Sequence, residues 1–452
     1  MPKALLEMAM TRFSKETYIY DPLYGICYLA EFVWDVIPSV ELQRLREVRL
    51  CNINSFCLTG GANINRYEHA VGTCKLAQEC LESWPLLNPV SQQERQHFIL
   101  AALLHDIASA AFGHSVEYVE SQVGFDHEES FSHIVVGRAG GPYPYKSITL
   151  EPVFFGMPRS LSTKITVEDL KAIGEIIAGK GRFGPLINST IDLDNIDNVF
   201  RLAYHIGIVR SGEIPLRLAK SLWTEGDELV LKTESIPLVN EWHRVRKRLY
   251  QFLLLNPQEF SAKCMLTEAI EIAKSKKAHA FNWYDVDFEL FQVLSDVSSE
   301  TSAIVSRLMR GDLYGCIGIF STQNVRNQRV LLDREQRIGL EEKLSSMIRS
   351  KFLSRFKSAM IALHVIVDIN KTERQVKIRT DGGKIVCIGN RSSQLLIGVF
   401  FKNVGLNMYE MNNIPEDTIS NMRQEIMTLL GDALGDSGLK EVKLYREATE
   451  RE

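Results

Sequence analysis

Histidine is sparse in this sequence, yet six of its ten copies crowd into one short stretch: His69, His97, His105, His114, His127 and His133. The sharpest pair lies in Leu103-Leu104-His105-Asp106-Ile107, where an imidazole and a carboxylate sit side by side in an apolar helical pattern. Burying both costs free energy unless they pair with each other or ligate a cation. Adjacent residues on a helix point about 100° apart, so both can still converge on one ion at the helix edge. An isolated His-Asp pair is more often a satisfied core hydrogen bond than a site. Three neighbours shift that balance. His69 follows Asn65-Arg66-Tyr67-Glu68 at the start of the preceding helical pattern. Ile191-Asp192-Leu193-Asp194-Asn195-Ile196-Asp197 brings three carboxylates onto a later one. His114 and His127-Glu128 come soon after the pair. Two neutral imidazoles with two carboxylates make a nitrogen–oxygen set suited to Mn, Fe, Ni, Zn or Mg. Such an ion lowers the pKa of its water and provides hydroxide near neutral pH.

Helices must hold these residues. Apolar steps of three and four predict them over Tyr67–Leu81, Gln92–Ala108, Val167–Ala178 and Ile191–Ile206. Leu42, Leu45 and Val48 keep helical spacing, and helical patterns dominate from Leu238 to about Arg310. The β elements of this body are small. Asp21-Pro22-Leu23-Tyr24-Gly25 reads as a turn before a strand-like run to Val33, and Leu218–Lys232 reads as a hairpin. Residues 138–162, rich in Gly, Pro and Ser, read as a loop or insertion. Near residue 360 the texture changes. His364–Ile369, Gln375–Ile378 and Lys384–Ile388 are β-branched runs parted by turn residues, and Asp417–Leu430 reads as a closing helix. The expected fold is mostly α: a helical body over 1–330, with small β elements near 21–35 and 218–232, and a smaller α+β lobe over 331–452.

Composition excludes several classes. With 45% apolar and 9% aromatic residues, the 452-residue chain can fill two or three cores and is not disordered. A net charge of −4 argues against a dedicated duplex-DNA binder with a basic face. No GxxxxGKS or GxGxxG motif is present, which disfavours a P-loop ATPase and a Rossmann dehydrogenase. None of the eight cysteines forms a CxxC pair, and most sit among apolar neighbours, so buried reduced thiols in a cytoplasmic protein are expected. No signal-peptide pattern and no 18-residue apolar run are visible, so no membrane association is expected.

In order and type, His69, His105-Asp106 and Asp194 match an H…HD…D signature, and the sequence resembles the HD-domain phosphohydrolases. Asp21-Pro22-Leu23-Tyr24-Gly25, Gln43-Arg44-Leu45-Arg46, Asn65-Arg66-Tyr67-Glu68-His69 and Leu104-His105-Asp106 narrow the resemblance to the deoxynucleoside triphosphate triphosphohydrolases. That group includes the mammalian enzyme with sterile-alpha-motif and HD domains and its bacterial relatives. Arg248-Leu249-Tyr250-Gln251 resembles a further segment beside the sugar. The resemblance implies one divalent metal on His69, His105, Asp106 and Asp194. It implies metal-activated water attacking the α-phosphate of a (deoxy)nucleoside triphosphate, releasing nucleoside and inorganic triphosphate. Arg66 would contact phosphate through its bidentate fork. His114 and His127 would lie beside the reacting phosphate as proton donor or charge stabiliser. Glu117 stands where the family usually has an Asp that orients such a His. Tyr250 would pack on the sugar, and Arg44 would belong to a substrate-contacting segment. The resemblance further implies a homo-oligomer, an allosteric nucleotide, a protein partner and a role in antiviral defence by nucleotide depletion.

The chain also departs from that pattern. Four residues after His105 the family often has a His; here the residue is Ser109. A Lys and a Tyr that touch phosphates are replaced by Asn195 and Asn198, which inherit the substrate-contact positions. An expected Arg is Trp242, with Arg244 and Arg246 nearby on the same helix, and the reader of the sugar 3′-hydroxyl is Leu50. The cluster Arg244-Val245-Arg246-Lys247-Arg248 is either a solvated face or a phosphate site. An intact metal centre with altered triphosphate contacts leaves two rivals. One is a phosphodiesterase or nuclease on a cyclic or short oligonucleotide, and the other is a nucleotide sensor with reduced catalysis.

Overall fold

The helices begin where capping chemistry permits. Asn65 accepts the backbone N–H of Glu68, Ser91 and Glu94 form a reciprocal capping box, and Asp192 accepts from the N–H of Asn195. The structure is a computed structural model. It describes residues 17–51, 63–113, 115, 116, 119, 127, 128, 131, 135, 153, 154, 157, 158, 161, 164–276, 285–323, 329–352, 354–436 and 438–442. Within the body run α1 (Glu31–Val36), α2 (Val40–Arg44), α3 (Arg66–Glu82), α4 (Gln92–Leu104), α5 (Val167–Ile177), α6 (Leu193–His205) and α7 (Glu213–Ala219). They are followed by α8 (Ile236–Leu254), α9 (Pro257–Lys276), α10 (Asp287–Val297) and α11 (Ser299–Arg310). The C-terminal lobe adds α12 (Arg334–Lys351) and α13 (Glu416–Leu434). The fold is mostly α, as the periodicity predicts.

Strands are short in the body and longer beyond it. They are β1 (Ile19–Asp21), β2 (Gly25–Cys27), β3 (Val153–Phe154), β4 (Met157–Pro158), β5 (Leu222–Glu225) and β6 (Glu228–Leu231). Then come β7 (Gly315–Thr322), β8 (Ile361–Ile369), β9 (Val376–Thr380), β10 (Ile385–Ile388), β11 (Ser393–Phe401) and β12 (Lys440–Glu441). One sheet runs β10-β9-β6-β5, with β6 and β9 parallel; another runs β12-β7-β11-β8.

A first core lies between α3, α4, α5, α6 and α8, where α3 packs on α4 and α6, α4 on α5, and α6 on α8. Phe98, Leu103 and Leu104 of α4 are fully buried in it, each contributing on the order of 2 kcal/mol. A second core joins α9, α10 and α11 to Ala108, Ala110, Ala111 and Phe112. A third packs α12 and α13 on the C-terminal sheet. No described helix is long and apolar enough to cross a membrane.

Several expectations need correction. The strand-like run to Val33 stops at Cys27, because Val33 and Val36 are buried at helical spacing in α1. The helix predicted to reach Ala108 ends at Leu104. Beyond it Ile107 donates to Leu104 O and Ser109 to Asp106 O, the three-residue steps of turns. Contacts also run across residues 330 and 331. β7 pairs with β11, while Val376, Ile378 and Ile388 of the β9–β10 hairpin belong to the first core. Strand β11 was not predicted. It is a central strand between β7 and β8, and Leu395 to Phe401 are buried on both faces, so it lacks the alternation that marks a half-buried strand. Cys27, Cys74, Cys80 and Cys264 are buried free thiols, whereas Cys387 is exposed.

Candidate metal centre

His69 stands in the first turn of α3, and His105 and Asp106 follow the last residue of α4. Asp194 is in the first turn of α6. Packing of α3 against both α4 and α6 brings them together. His69, His105 and Asp106 each offer a ligand atom within 4.8 Å of the others. Asp194 Oδ1 lies 2.8 Å from His69 Nε2 and 3.6 Å from His105 Nε2, and the two Nε2 atoms are 3.2 Å apart. Each ring is fixed through its other nitrogen. His69 Nδ1 lies 2.7 Å from Asp197 Oδ1, and His105 Nδ1 lies 2.9 Å from Ala102 O. Such backing aims the remaining nitrogen at an ion. Asp106 Oδ2 is buried with no hydrogen-bond partner among the described residues, and faces His105 Nε2 at 3.7 Å and His69 Nε2 at 3.9 Å. An orphaned buried carboxylate oxygen is costly. A divalent cation shared with two imidazole nitrogens satisfies it, so the donor set fits a metal.

The charges of the centre are tightly coupled. Burial alone would push His69 down, yet Asp194 and Asp197 outweigh it and hold the imidazole up at about 10. Burial also opposes the rise at His105, which Asp106 and Asp194 sustain. Burial would raise Asp106 as well, but the Arg66 guanidinium, with His105 and His69, holds its carboxyl well below the usual range. Burial and the neighbouring Asp194 push Asp192 up to about 7. The carboxylates thus favour positive charge among the imidazoles, the position that a bound cation takes.

Around Asp106 Oδ1 three more groups gather. Arg66 Nη1 pairs with it, Ser109 Oγ donates at 2.9 Å, and His127 Nε2 lies 3.6 Å away. Behind His69, Asp197 accepts from Arg201 Nε at 2.8 Å and from the Tyr24 hydroxyl at 2.8 Å. Arg201 reaches on to Asp21 at 2.9 Å and Glu68 at 2.6 Å. Asp21 itself accepts the N–H groups of Leu23 and Tyr24, which shapes the first hairpin turn. A Cβ on Gly72 would collide with Arg201 and Asp197, and one on Gly113 would collide with Arg66, so both glycines make room for the charged groups.

The structure does not bring every candidate together. His69, His105, Asp106, Asp194, Arg66 and His127 converge. Arg44 does not join them: its guanidinium is fully buried and donates to the carbonyl oxygens of Asp285, Ile107 and Ser109, tying down the turn after the His-Asp pair. Arg244 is exposed and pairs with Glu241. Arg246 is buried and turns inward, 4.0 Å above the ring of half-buried Tyr250. Trp242 donates to Asn195 O at 3.2 Å, and half-buried Asn198 follows one turn along α6. His114 and Glu117 lie outside the described residues. Sequence reasoning missed the supporting roles of Asp197, Arg201, Tyr24 and Gly72. The spacing of Asp197 and Arg201 by four on one helix was a usable signal for a salt bridge.

The helical body and its buried His/Asp centre define a class. Residues 66–143, which hold His69, His105 and Asp106, match the HD domain. An uncharacterized protein of Bacillus subtilis, YwfO, is 25% identical over 267 residues, 58% of this chain and 57% of its own length. A Dictyostelium discoideum homolog of the deoxynucleoside triphosphate triphosphohydrolase SAMHD1 is 22% identical over 42% of this chain and 36% of its own. The chain therefore spans little more than half, or less, of these curated relatives. A phosphohydrolase crystal structure from Bacteroides thetaiotaomicron shares the fold, with a TM-score of 0.59 at 16% identity over 86% of this chain and 100% of that one.

Proposed function

We propose that this chain is a metal-dependent phosphohydrolase acting on nucleoside triphosphates, deoxynucleotides foremost, and releasing nucleoside and inorganic triphosphate. One observation carries the reading: His69, His105, Asp106 and Asp194 converge, with Asp106 Oδ2 buried and lacking a hydrogen-bond partner among the described residues. These four side chains would hold the metal; Mn, Mg, Fe, Ni and Zn all suit them. When bound, the ion supplies Lewis acidity and a lowered pKa for water. Asp197 holds the His69 ring in place. Arg66, paired with Asp106 yet with Nε unpartnered among the described residues, offers a planar donor to a phosphate oxygen beside the centre. His127 is the described histidine nearest to Asp106 that is not itself a ligand, and takes the part of proton donor or charge stabiliser. His114 and Glu117 are proposed to share that part. Tyr250 packs on the sugar, with Asn195 and Asn198 completing the substrate wall and Arg246 behind it. The SAMHD1-type relatives support the nucleotide class; a homo-oligomer that binds an allosteric nucleotide is proposed with it.

A second reading has its own observation. Ser109 stands where the related enzymes often carry a His, and its hydroxyl is engaged by Asp106. That favours a nucleotide sensor with reduced catalysis. One experiment separates these readings. The purified protein is stripped of metal, reloaded with Mn or Mg and incubated with each dNTP and NTP, and the products are separated by chromatography. Nucleoside plus inorganic triphosphate is the expected outcome. Binding without products supports the sensor, a monophosphate product supports a phosphodiesterase, and neither binding nor turnover overturns the nucleotide class.

A further inference from the structure

The residue after Asp194 carries no charge. Asn195 turns its amide back onto Asp192, donating to both carboxylate oxygens at 3.0 Å, so its Oδ1 remains to accept. Arg374 fills that role. Its Nη1 donates to Asn195 Oδ1 at 2.8 Å from 179 positions away, and its Nε donates to Asn370 O at 3.3 Å. Both partners are neutral oxygens, so neither bond neutralises the guanidinium. A second cation reaches the same Asn370 carbonyl. Arg246 donates to the carbonyls of Lys371 and Asn370, at 2.7 and 3.4 Å, and its buried Nε has no hydrogen-bond partner among the described residues. Burial pushes Arg246 down, with Tyr250 and, more weakly, the Asp368 carboxylate opposing it and the like charge of Arg374 adding to it.

The loop that carries Arg374 is firmly built. Asp368, fully buried at the end of β8, accepts the N–H groups of Lys371 and Thr372 at 3.0 and 2.9 Å. It also accepts Ser392 Oγ at 2.8 Å and Gln394 Nε2 at 2.9 Å. Asn370 takes the left-handed conformation, φ +56°, that closes the turn. A loop fixed in this way loses little entropy when a ligand arrives. Two guanidiniums held together on neutral partners favour an anion, and their planar forks suit phosphate oxygens.

We infer that the β8–β9 loop of the C-terminal lobe supplies Arg374 as a substrate-binding residue that grips the polyphosphate beside Asp194, with Arg246 behind it. This rests on the nucleotide reading and names the group that replaces a charged side chain at position 195. The test compares the full chain, Mn-loaded, as wild type, Arg374→Ala, Arg374→Gln, Arg374→Lys and the double variant Asn195→Lys/Arg374→Ala. Calorimetry with inorganic triphosphate should show binding weakened about tenfold or more in the Ala and Gln variants. Lys at 374 should restore part of it, and Lys at 195 should restore part in the double variant. With any nucleoside triphosphate that the wild type hydrolyses, KM should follow the same order while kcat changes less. The Gln variant, which keeps a donor for Asn195, serves where Ala lowers the melting temperature. Unaltered triphosphate affinity in both neutral variants, or a loss that neither lysine relieves, overturns the inference. Triphosphate binding through Arg374 without turnover of any nucleotide leaves the inference standing and removes the hydrolase reading instead.

Discussion

Asp197 shows how much of a candidate metal centre lies behind the groups that would hold the ion. Its carboxylate faces His69 Nδ1 on one side and Arg201 and the Tyr24 hydroxyl on the other. The imidazole therefore has one orientation and presents Nε2 to Asp194 and His105. Replacing Asp197 by Asn keeps the shape and removes the charge. The expected result is a loss of about ten- to a hundredfold in Mn affinity, measured by competition with a chelating dye. Unchanged affinity would show that His69 needs no such backing. Ser109 makes the complementary point. A hydroxyl on Asp106 Oδ1 helps fix that carboxylate, leaving Oδ2 toward the imidazoles.

Among the elements, the close passage of α3 over α6 decides whether the centre exists. Gly72 makes that passage possible, because a methyl group there would meet both Arg201 and Asp197. The Gly72→Ala variant should lose about 1–3 kcal/mol of stability in denaturant unfolding, from overpacking against a charged pair. It should also bind Mn more weakly. Gly339 in α12 is the control: a Cβ there meets nothing within 4 Å, so Ala should be neutral or gain up to about 1 kcal/mol. Equal effects at both positions would refute the argument. Arg44 works at the same scale. By donating to Ile107 O and Ser109 O it holds the turn that follows α4, so its part is positioning.

At the scale of the whole molecule, the C-terminal lobe is stitched into the body. Its β9 lies parallel to β6, and Arg374 reaches α6. His364 of β8 is buried with its ring edge-on to Phe260 of α9, at 5.5 Å between centroids. Burial, and then the cations Arg337, Lys263 and Lys371, push its imidazole down from 6.5 to about 3. Because the folded pKa is depressed, the neutral ring carries no penalty above pH 6.5. As pH falls toward 3, the unfolded chain takes up a proton that the folded one refuses, and stability is lost. Relative to His364→Gln, wild type should lose up to about 1.4 kcal/mol per pH unit across that window. Parallel stability–pH curves for the two proteins would refute it.

The chemistry was the most legible part of the sequence, and the reason is local. Histidine and aspartate in an apolar pattern must be paired or ligated wherever they fold, so His69, His105-Asp106 and the Asp192–Asp197 segment could be singled out as chemistry-bearing without coordinates. Helix starts were legible too, since a cap acts over three residues, as at Asn65, Ser91 and Asp192. Helix ends were less so. Leu104 ends α4 through turn contacts and Arg44, from a distant part of the chain. Strand β11 escaped notice because burial on both faces removes alternation. Which arginines face the centre was undecidable from spacing. Arg44 and Arg244 stood beside Arg66 as substrate-contact candidates, yet one holds backbone carbonyls and the other a surface Glu. Arg374 carried no local signal at all. Residue types set what chemistry was available, while long-range packing alone decided which charges share one buried volume, because burial and proximity belong to no single segment.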